Sequence, residues 1–351
     1  MVLLLLHHLG LTSVHEFADV KFICVCGTNE RAHEIAKAFN VNNDMRELGR
    51  SRFVVYKVQN VIVCSHGMGG PSISICLNEL IKALNMACNC ADVTFIRVGT
   101  SGGIGVPPGT IVCTTEALNE DLEPFYLTNI MGKKMKYPAI LDTGDIEEEI
   151  VVVHGKTLST NCFYENQART DGAFCSFTQD DQRAYIRKLY SIGVRNIEME
   201  IVTFAAIVHR AGLRAVAYCI TLVDRLDDQA LAPPENIDVG KLISTIVRIV
   251  GKMNKGLCRH CLAFGTRRGK DLVTRCELRQ HDRAEDLWIV AGDRVFGVSE
   301  FLLEHPGGQR SLLKRGGGAM DCLEDLAFHS QKGRWMWDNF QVARLVECAP
   351  G

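Results

Sequence analysis

The sequence lacks the patterns that define several large classes of protein. No apolar run reaches the roughly 18 residues that a membrane helix needs. The formal net charge is only −2, so no global charge attracts nucleic acid or a membrane surface. Neither a GxxxxGKS/T loop nor a GxGxxG turn followed by an acidic residue occurs, which argues against P-loop and dinucleotide sites. A CxxCH motif is also missing, so covalent c-type haem is not indicated.

Cysteine, in contrast, is abundant, with 15 residues scattered along the chain. Many lie inside apolar runs such as Phe22–Cys26, which is typical of small buried side chains in a reducing compartment. Cys258 and Cys261 form a CxxC without a second ligand pair at zinc-finger spacing, so a metal site there is not favoured. The apolar run at residues 1–8 is too short for a signal peptide and has no basic flank. We expect a cytoplasmic protein.

Short apolar runs alternate with stretches of helical spacing over the first 250 residues, which predicts an α/β fold with a largely central sheet. The predicted strands are Val20–Cys26, Phe53–Val58, Val61–Ser65, Val93–Val98, Asn196–Met199 and Ala215–Leu222. The predicted helices are Glu30–Phe39, Ser72–Asn85, Asp180–Ile192, Val202–Ala211 and Val239–Met253.

The composition of the sequence changes near residue 256, where basic residues outnumber acidic ones and apolar periodicity ends. We therefore predict a first domain at residues 1–256, a linker at 257–272 and a second domain at 273–346. In the second domain, a strand–turn–strand is predicted around Ala291–Asp293, followed by an apolar helical stretch at Val298–Leu303.

Three glycine-rich segments of the first domain predict an anion site. They are Gly27 with Arg31 four residues on, Gly67–Gly70 before Ser72, and Arg97–Gly103 with Thr100. A strand that ends in a glycine turn aims backbone N–H groups at an anion, and arginine and hydroxyl groups complete a phosphate-binding set. One such turn is weak evidence, but three along one α/β chain form a strong pattern.

Longer motifs give a resemblance. Ser65–Ile75 with Asn78–Leu80 is similar to the signature of the nucleoside phosphorylase family, and Arg97–Gly105 and Asn196–Glu200 narrow it further. Phe163–Arg169 is similar to the uracil-reading loop of uridine phosphorylases. The resemblance covers roughly residues 8 to 255. It implies the family fold, a mixed sheet curved into a distorted barrel and flanked by helices.

The same resemblance implies roles for individual residues. The phosphate and substrate binders that it implies are Gly27, Arg31, Arg97, Thr100 and Gly102. At the base it implies Phe163, Gln167, Arg169 and Arg225, and at the ribose Glu198, Met199, Glu200 and His8, with His7 as the alternative to His8. Arg52 and His8 would act in the site of a neighbouring subunit, so the resemblance implies a homodimer or a higher homo-oligomer.

The implied reaction is reversible phosphorolysis of uridine to uracil and ribose 1-phosphate, which needs no cofactor. Its transition state resembles an oxocarbenium ion. Glu200 and Arg169 are the implied catalytic residues, because a carboxylate favours positive charge on the ribose and a guanidinium favours negative charge on departing uracil. Selectivity against deoxyuridine or thymidine stays open.

Taken one at a time, these motifs have simpler readings. An isolated Gln-x-Arg is typical of a solvated surface pair, and Glu198–Glu200 is typical of a helix start. His66 alone is typical of a packed or hydrogen-bonded residue. The functional interpretation depends on all the motifs occurring together and in order.

Two histidines near the C-terminus predict a second chemistry. His305 stands in His-Pro-Gly-Gly and His329 follows 24 residues later, and two neutral imidazoles fill both axial positions of a haem iron. The stretch from Val273 to Val346 resembles the small α+β cytochrome b5 haem domain. The resemblance implies b-type haem held by His305 and His329, and a redox partner that the sequence does not identify. Two alternatives stay open, an electron-transfer protein with a phosphorylase scaffold and a joined gene model of two proteins.

Overall fold

A computed structural model describes residues 6–40, 43–87, 93–142, 152–226, 237–254, 272–274, 278–279, 281–323, 325 and 337–346. These residues form two compact units, with the boundary between Arg248 and Ile249. We call them the N-terminal and the C-terminal unit. Of the predicted linker at 257–272, only residue 272 is described, and Cys258, Cys261 and His329 lie outside the described residues. Within the described parts of the chain, no helix combines the length and apolar character required to cross a bilayer.

The N-terminal unit is built on one nine-stranded mixed sheet with the order β10-β9-β6-β11-β5-β1-β4-β3-β2. The first five strands are β1 (Phe22–Cys26), β2 (Arg46–Arg50), β3 (Val54–Val58), β4 (Val61–Ser65) and β5 (Thr94–Gly103). The other four are β6 (Ile111–Leu118), β9 (Val152–Ser159), β10 (Val194–Glu198) and β11 (Arg214–Asp224). Two more strands, β7 (Phe125–Ile130) and β8 (Lys133–Pro138), form a separate hairpin.

An additional pairing between β5 and β10 closes part of this sheet. It joins the two ends of the series β10-β9-β6-β11-β5, so these five strands form a ring. The family fold that the sequence predicted, a mixed sheet curved into a distorted barrel, is confirmed.

The described residues up to 254 contain five α-helices, and the last of them crosses the boundary between the two units. They are α1 (Asn29–Phe39), α2 (Gly70–Met86), α3 (Gln179–Ser191), α4 (Ile201–Arg210) and α5 (Val239–Asn254). In α2 the buried residues Ile73, Leu77, Leu80 and Leu84 recur every three or four positions, so they line one face. That face joins residues of α4 and of β1, β3 and β4 in the largest apolar core.

Local signals also fix the helix starts. Thr28 accepts a hydrogen bond from the backbone N–H of Arg31, which caps α1 directly after Gly27. At α3, Thr178 and Asp181 form a reciprocal capping box. The five predicted helices of this unit are confirmed, with shifts of one or two residues at their ends.

One prediction in this unit is wrong. Arg97–Gly103 is not a glycine turn before a helix, because β5 continues through Gly103 and pairs with β11 as far as Asp224. The physical role of Gly99 is to leave space, since a Cβ there would overlap the guanidinium of Arg97.

The C-terminal unit contains a five-stranded sheet with the order β12-β16-β15-β14-β13. Its elements are β12 (Leu272–Thr274), β13 (Asp282–Arg283), β14 (Asp286–Ala291), β15 (Arg294–Gly297), α6 (Gln309–Leu313) and β16 (Gln341–Val346). Ile289 and Val290 of β14 belong to different apolar clusters, so both faces of this sheet are covered.

The predicted strand–turn–strand around Ala291–Asp293 is confirmed by the pairing of β14 with β15. The predicted helical stretch at Val298–Leu303 is wrong. Successive turns replace it, with N–H groups bonded to carbonyls three residues back, as from Phe301 to Val298. Apolar spacing of three or four residues suits such turns as well as a helix.

We predict that Thr178→Ala lowers the free energy of unfolding by about 1 kcal/mol, because the N–H of Asp181 loses its acceptor. Urea denaturation followed by circular dichroism measures the change. Thr178→Ser keeps the hydroxyl and should match the wild type, and equal stability of Thr178→Ala would contradict the capping argument.

Candidate functional site

The site begins at a gap between strands. Residues Thr94–Val98 of β5 pair with β1, whereas only Gly102 and Gly103 pair with β10. Residues 99–101 therefore have β11 on one side and neither β1 nor β10 on the other. Because β1 ends at Cys26 beside this gap, polar groups that follow the strand can meet there. Such crevices at the carboxyl ends of parallel strands are the common binding places of α/β folds.

Four of the predicted anion binders lie at or beside this gap. A Cβ on Gly27 would lie 3.4 Å from the carbonyl oxygen of Gly67 and 3.7 Å from Nη1 of Arg31, so the two loops and the guanidinium are in contact. Burial raises the pKa of Cys26 to about 12, and the cations of Arg31 and Arg97 both oppose this shift, so both act on the same point at the end of β1. Thr100, half-buried, lies on β5 three residues after Arg97.

Arg97 occupies the centre of the site. It is 2% exposed, and its Nη2 contacts carboxylate oxygens of both Glu198 and Glu200. Nη1 lies 3.5 Å from Sγ of Cys219, and the guanidinium passes over Gly99. Burial opposes the charge of Arg97, but the two carboxylates more than offset this effect and raise its pKa.

Glu198 and Glu200 contact the same cation, but their pKa values shift in opposite directions. Glu198 accepts hydrogen bonds from the backbone N–H groups of Glu200, at 2.9 Å, and of Ile201, at 2.7 Å, where α4 begins. Burial raises the pKa of Glu198 to about 7. For Glu200 burial acts in the same direction, but Arg97 opposes it and holds the pKa below its ordinary value. Glu200 is therefore the carboxylate that stays ionised beside Arg97. Met199, between the two acids, is half-buried.

The predicted base-reading residues also meet. Nη2 of Arg225 donates to Oε1 of Gln167 at 3.0 Å, and Nη1 donates to the Gln167 backbone carbonyl at 3.2 Å. The Arg225 side chain lies over Gly102, where a Cβ would come within 2.7 Å of Nε. Burial, followed by repulsion from Arg169, lowers the pKa of Arg225 to about 10. Gln167, Arg225 and Gly102 thus form one polar wall.

Arg169 stacks against the aromatic part of the same loop. Its guanidinium carbon lies 4.6 Å from the centre of the Phe163 ring, and that ring is 41% exposed. Arg169 also donates from Nε to Asp171 at 2.8 Å and forms a second bond to it from Nη2. Asp171 was missed in the sequence, where the only signal was its place two residues after Arg169.

His8 and Arg52 lie on a shared patch. Nδ1 of His8 is 2.6 Å from Oε1 of Glu79, and Glu79 also accepts the backbone N–H of His8. The rings of His8 and Phe53 are 6.4 Å apart, and the guanidinium of Arg52 lies 5.8 Å from the centre of the Phe53 ring. The two residues that the resemblance assigns to a neighbouring site therefore lie close together. Glu79, which fixes His8, was missed as a positioning residue.

In the C-terminal unit, glycine shapes the surroundings of His305. A Cβ on Gly307 would lie 2.8 Å from Cε1 of the imidazole, so the ring packs directly over this glycine. Oγ of Ser311 lies 3.0 Å from Nδ1 and donates to the Gly308 carbonyl at 2.7 Å. Since the hydroxyl hydrogen points to Gly308, Nδ1 carries the hydrogen and Nε2 the lone pair, the form that binds a metal. The Phe301 ring lies 5.8 Å from the imidazole. These contacts fit an axial haem ligand.

We predict that Gly99→Ala pushes the Arg97 guanidinium away from its two carboxylates and costs about 1–3 kcal/mol of stability. The affinity for inorganic phosphate should fall as well. Thermal denaturation and titration calorimetry with phosphate measure the two effects. Gly251→Ala, at an open helical position, is the control, and an unchanged phosphate affinity in Gly99→Ala would contradict the placement of Arg97.

Comparison with known proteins gives two family matches. Residues 21–247 match the phosphorylase superfamily, and residues 274–346 match the cytochrome b5-like heme/steroid binding domain. Uridine phosphorylase 1 of Mus musculus is 40% identical over 255 residues, which cover 66% of this chain and 82% of that protein. Inactive uridine phosphorylase B of Schistosoma mansoni is 36% identical over 242 residues, covering 63% and 81%.

Among solved structures, uridine phosphorylase from Schistosoma mansoni in complex with uracil matches with a TM-score of 0.65 and 35% identity. The match covers 71% of this chain and 95% of that one. Homologues and structural neighbours indicate a pentosyltransferase-type enzyme. The chain belongs to the phosphorylase superfamily, with uridine phosphorylases among its homologues, and carries a cytochrome b5-like domain at its C-terminus.

Proposed function

We propose that the N-terminal unit catalyses the reversible phosphorolysis of uridine to uracil and ribose 1-phosphate. The observation that carries this proposal is the contact of Arg97 with Glu200, which joins the anion-binding gap to the carboxylate assigned to ribose. The wall of Gln167 and Arg225 supplies donor and acceptor groups for an imide edge. Because one of the relatives is an inactive protein, turnover has to be tested on this chain.

In the proposed mechanism, phosphate lies between Arg31 and Arg97, with backbone N–H groups after β1 and the Thr100 hydroxyl completing its contacts. Positioning an oxygen of the phosphate for attack on C1′ converts a bimolecular step into an effectively unimolecular one. As the bond to uracil breaks, positive charge develops on the ribose, and the ionised Glu200 stabilises it. Met199 and Glu198 border the ribose in this arrangement, and Glu198 contacts the same Nη2 of Arg97 as Glu200 does.

On the base side, Arg169 stabilises the negative charge that develops on departing uracil, while Phe163 packs on the nucleoside. Asp171 holds Arg169 by two bonds and so limits the rotamers from which it acts. Gln167 reads the polar edge, and Arg225 fixes the amide of Gln167. No cofactor takes part in these steps.

A homodimer is part of this proposal, because His8 and Arg52 would complete the site of a second copy from their shared patch. Glu79 fixes His8 from a buried position, and Phe53 supports both side chains. We also propose a cytoplasmic location, on the sequence argument alone.

Turnover is followed by incubating the whole chain with uridine and phosphate and measuring released uracil. Arg169→Ala should lower kcat by about 10²–10³-fold, because one donor to the developing charge is lost. Arg46→Ala, which removes only an exposed pair with Glu16, is the matched control and should keep wild-type rates. A folded wild-type chain without uridine turnover refutes the proposal.

For the C-terminal unit, we propose that His305 is an axial ligand of b-type haem, with the sequence-predicted His329 as the second. When bound, haem supplies one-electron transfer at its iron. The chain's own contribution is to hold His305 in one tautomer through Ser311 and Gly308.

We predict a Soret band when the chain is produced with supplemental haem, and its loss in His305→Ala. Ser311→Ala should keep haem but bind it more weakly, about 10–100-fold, because the imidazole loses an orienting partner. His281→Phe, which preserves the stacked contact with Trp288, is the control and should keep the band. Haem binding that survives in His305→Ala would contradict the assignment.

A further inference from the structure

His66 is a buried histidine that the proposed mechanism does not use. Its backbone N–H donates to the carbonyl of Cys26 at 2.8 Å, and its carbonyl accepts the Ser72 hydroxyl at 2.6 Å. These two bonds tie it to the end of β1 and to the first turn of α2. The position of the residue is therefore fixed beside the anion-binding gap.

The imidazole itself has no hydrogen-bond partner. His66 is 1% exposed, and neither Nδ1 nor Nε2 has an acceptor or donor in bonding geometry. Buried polar side-chain atoms are nearly always paired, since an unpaired group gives up its bonds with water without compensation. The sequence favoured a packed or hydrogen-bonded histidine, and the structure leaves this ring buried with its hydrogen-bonding capacity unused.

Three charged groups act on the ring, and all three belong to the site. They are Arg97, Glu200 and Arg31. Burial and then the cation of Arg97 lower the pKa of His66 to about 3, although Glu200 and the nearby Gly67 backbone, which lies outside hydrogen-bonding geometry, act in the opposite direction. The ring is therefore neutral at neutral pH, with one N–H donor and one lone-pair nitrogen.

Two guanidinium groups beside the ring favour an anionic ligand. To pair with the lone-pair nitrogen of the ring, that anion also has to carry a hydrogen that it can donate. Hydrogen phosphate fits, because it combines negative oxygens with a P–OH group. Sulfate has a similar size and shape but carries no hydrogen at neutral pH. A sulfate in the same place would leave the lone-pair nitrogen unsatisfied.

We propose that His66 is a further phosphate-binding residue, whose neutral imidazole accepts the hydrogen of hydrogen phosphate and so selects phosphate over sulfate. This inference rests on the proposed phosphorolysis at the same site. It assigns to the segment before α2 a part in anion selectivity, in addition to the charge supplied by Arg31 and Arg97.

The test measures phosphate and sulfate separately on the whole chain. His66→Phe preserves bulk and removes hydrogen bonding, and should weaken phosphate about tenfold, seen in its Kd by calorimetry and in its KM. The inhibition constant of sulfate should rise less than the phosphate Kd, because sulfate can accept the ring N–H but has no hydrogen to donate to the lone-pair nitrogen. His66→Asn, which restores a donor and an acceptor, should recover part of the phosphate affinity. His209→Phe, at an exposed position on α4, is the control.

A measurement on the wild type covers the case that the variants do not fold. In ¹⁵N-labelled-histidine NMR spectra, phosphate should shift the lone-pair nitrogen of one neutral imidazole, and sulfate should not. Equal weakening of phosphate and sulfate, or an unchanged phosphate KM in a folded His66→Phe, overturns the inference. Loss of uridine turnover in the wild type would instead refute the proposed function, which separates the two failures.

Discussion

One buried cation holds the N-terminal unit and its site together. Arg97 on β5 bonds to Glu198 and Glu200, which stand about 100 positions later at the junction of β10 and α4. Removing one partner of a buried ion pair typically costs about 3–5 kcal/mol, because the remaining charge is left uncompensated. In this triad the loss of Arg97 would leave two carboxylates in that state. The arginine therefore stabilises the closed sheet, and in the proposed function it also supplies charge for phosphate.

The same contact explains why glycine is needed at Gly99. The guanidinium extends along its own strand over this residue, and any side chain there would displace it. Gly102, three residues further along β5, leaves space for the side chain of Arg225 in the same way. Two glycines of β5 thus leave space for two arginines. The same strand therefore positions a residue proposed to bind phosphate and a residue proposed to contact the base.

Much of the fold was predictable because apolar periodicity determines which face of each element is buried. The helices α1 to α5 and the strands β1, β3 and β4 follow this rule closely. The course of β5 was not predictable. A glycine-rich segment is typical of a turn, and the sequence does not show that the glycines leave space for arginine side chains within a strand. The turns at Val298–Leu303 were predicted as a helix, because apolar residues three positions apart occur both in helices and in successive turns.

For the candidate site, the motifs predicted the candidate residues but not the residues that position them. Glu79 and Asp171 position His8 and Arg169, yet acidic residues near basic ones are common on solvated surfaces. His66 shows the opposite limit. Its type and neighbours in the sequence favour an ordinary interior residue, and only its burial and missing partners in the structure reveal an unused donor and acceptor.

Closure of the ring by β5 and β10 has a consequence for how copies of this chain behave at high concentration. Once β10 is paired on both sides, β2 is the one strand of the nine-stranded sheet that pairs on a single side among the described residues. That edge carries Arg46, Glu47 and Arg50, and its register shifts between Glu47 and Gly49. Charged side chains and an irregular register discourage strand addition. These features protect the sheet against edge-to-edge aggregation.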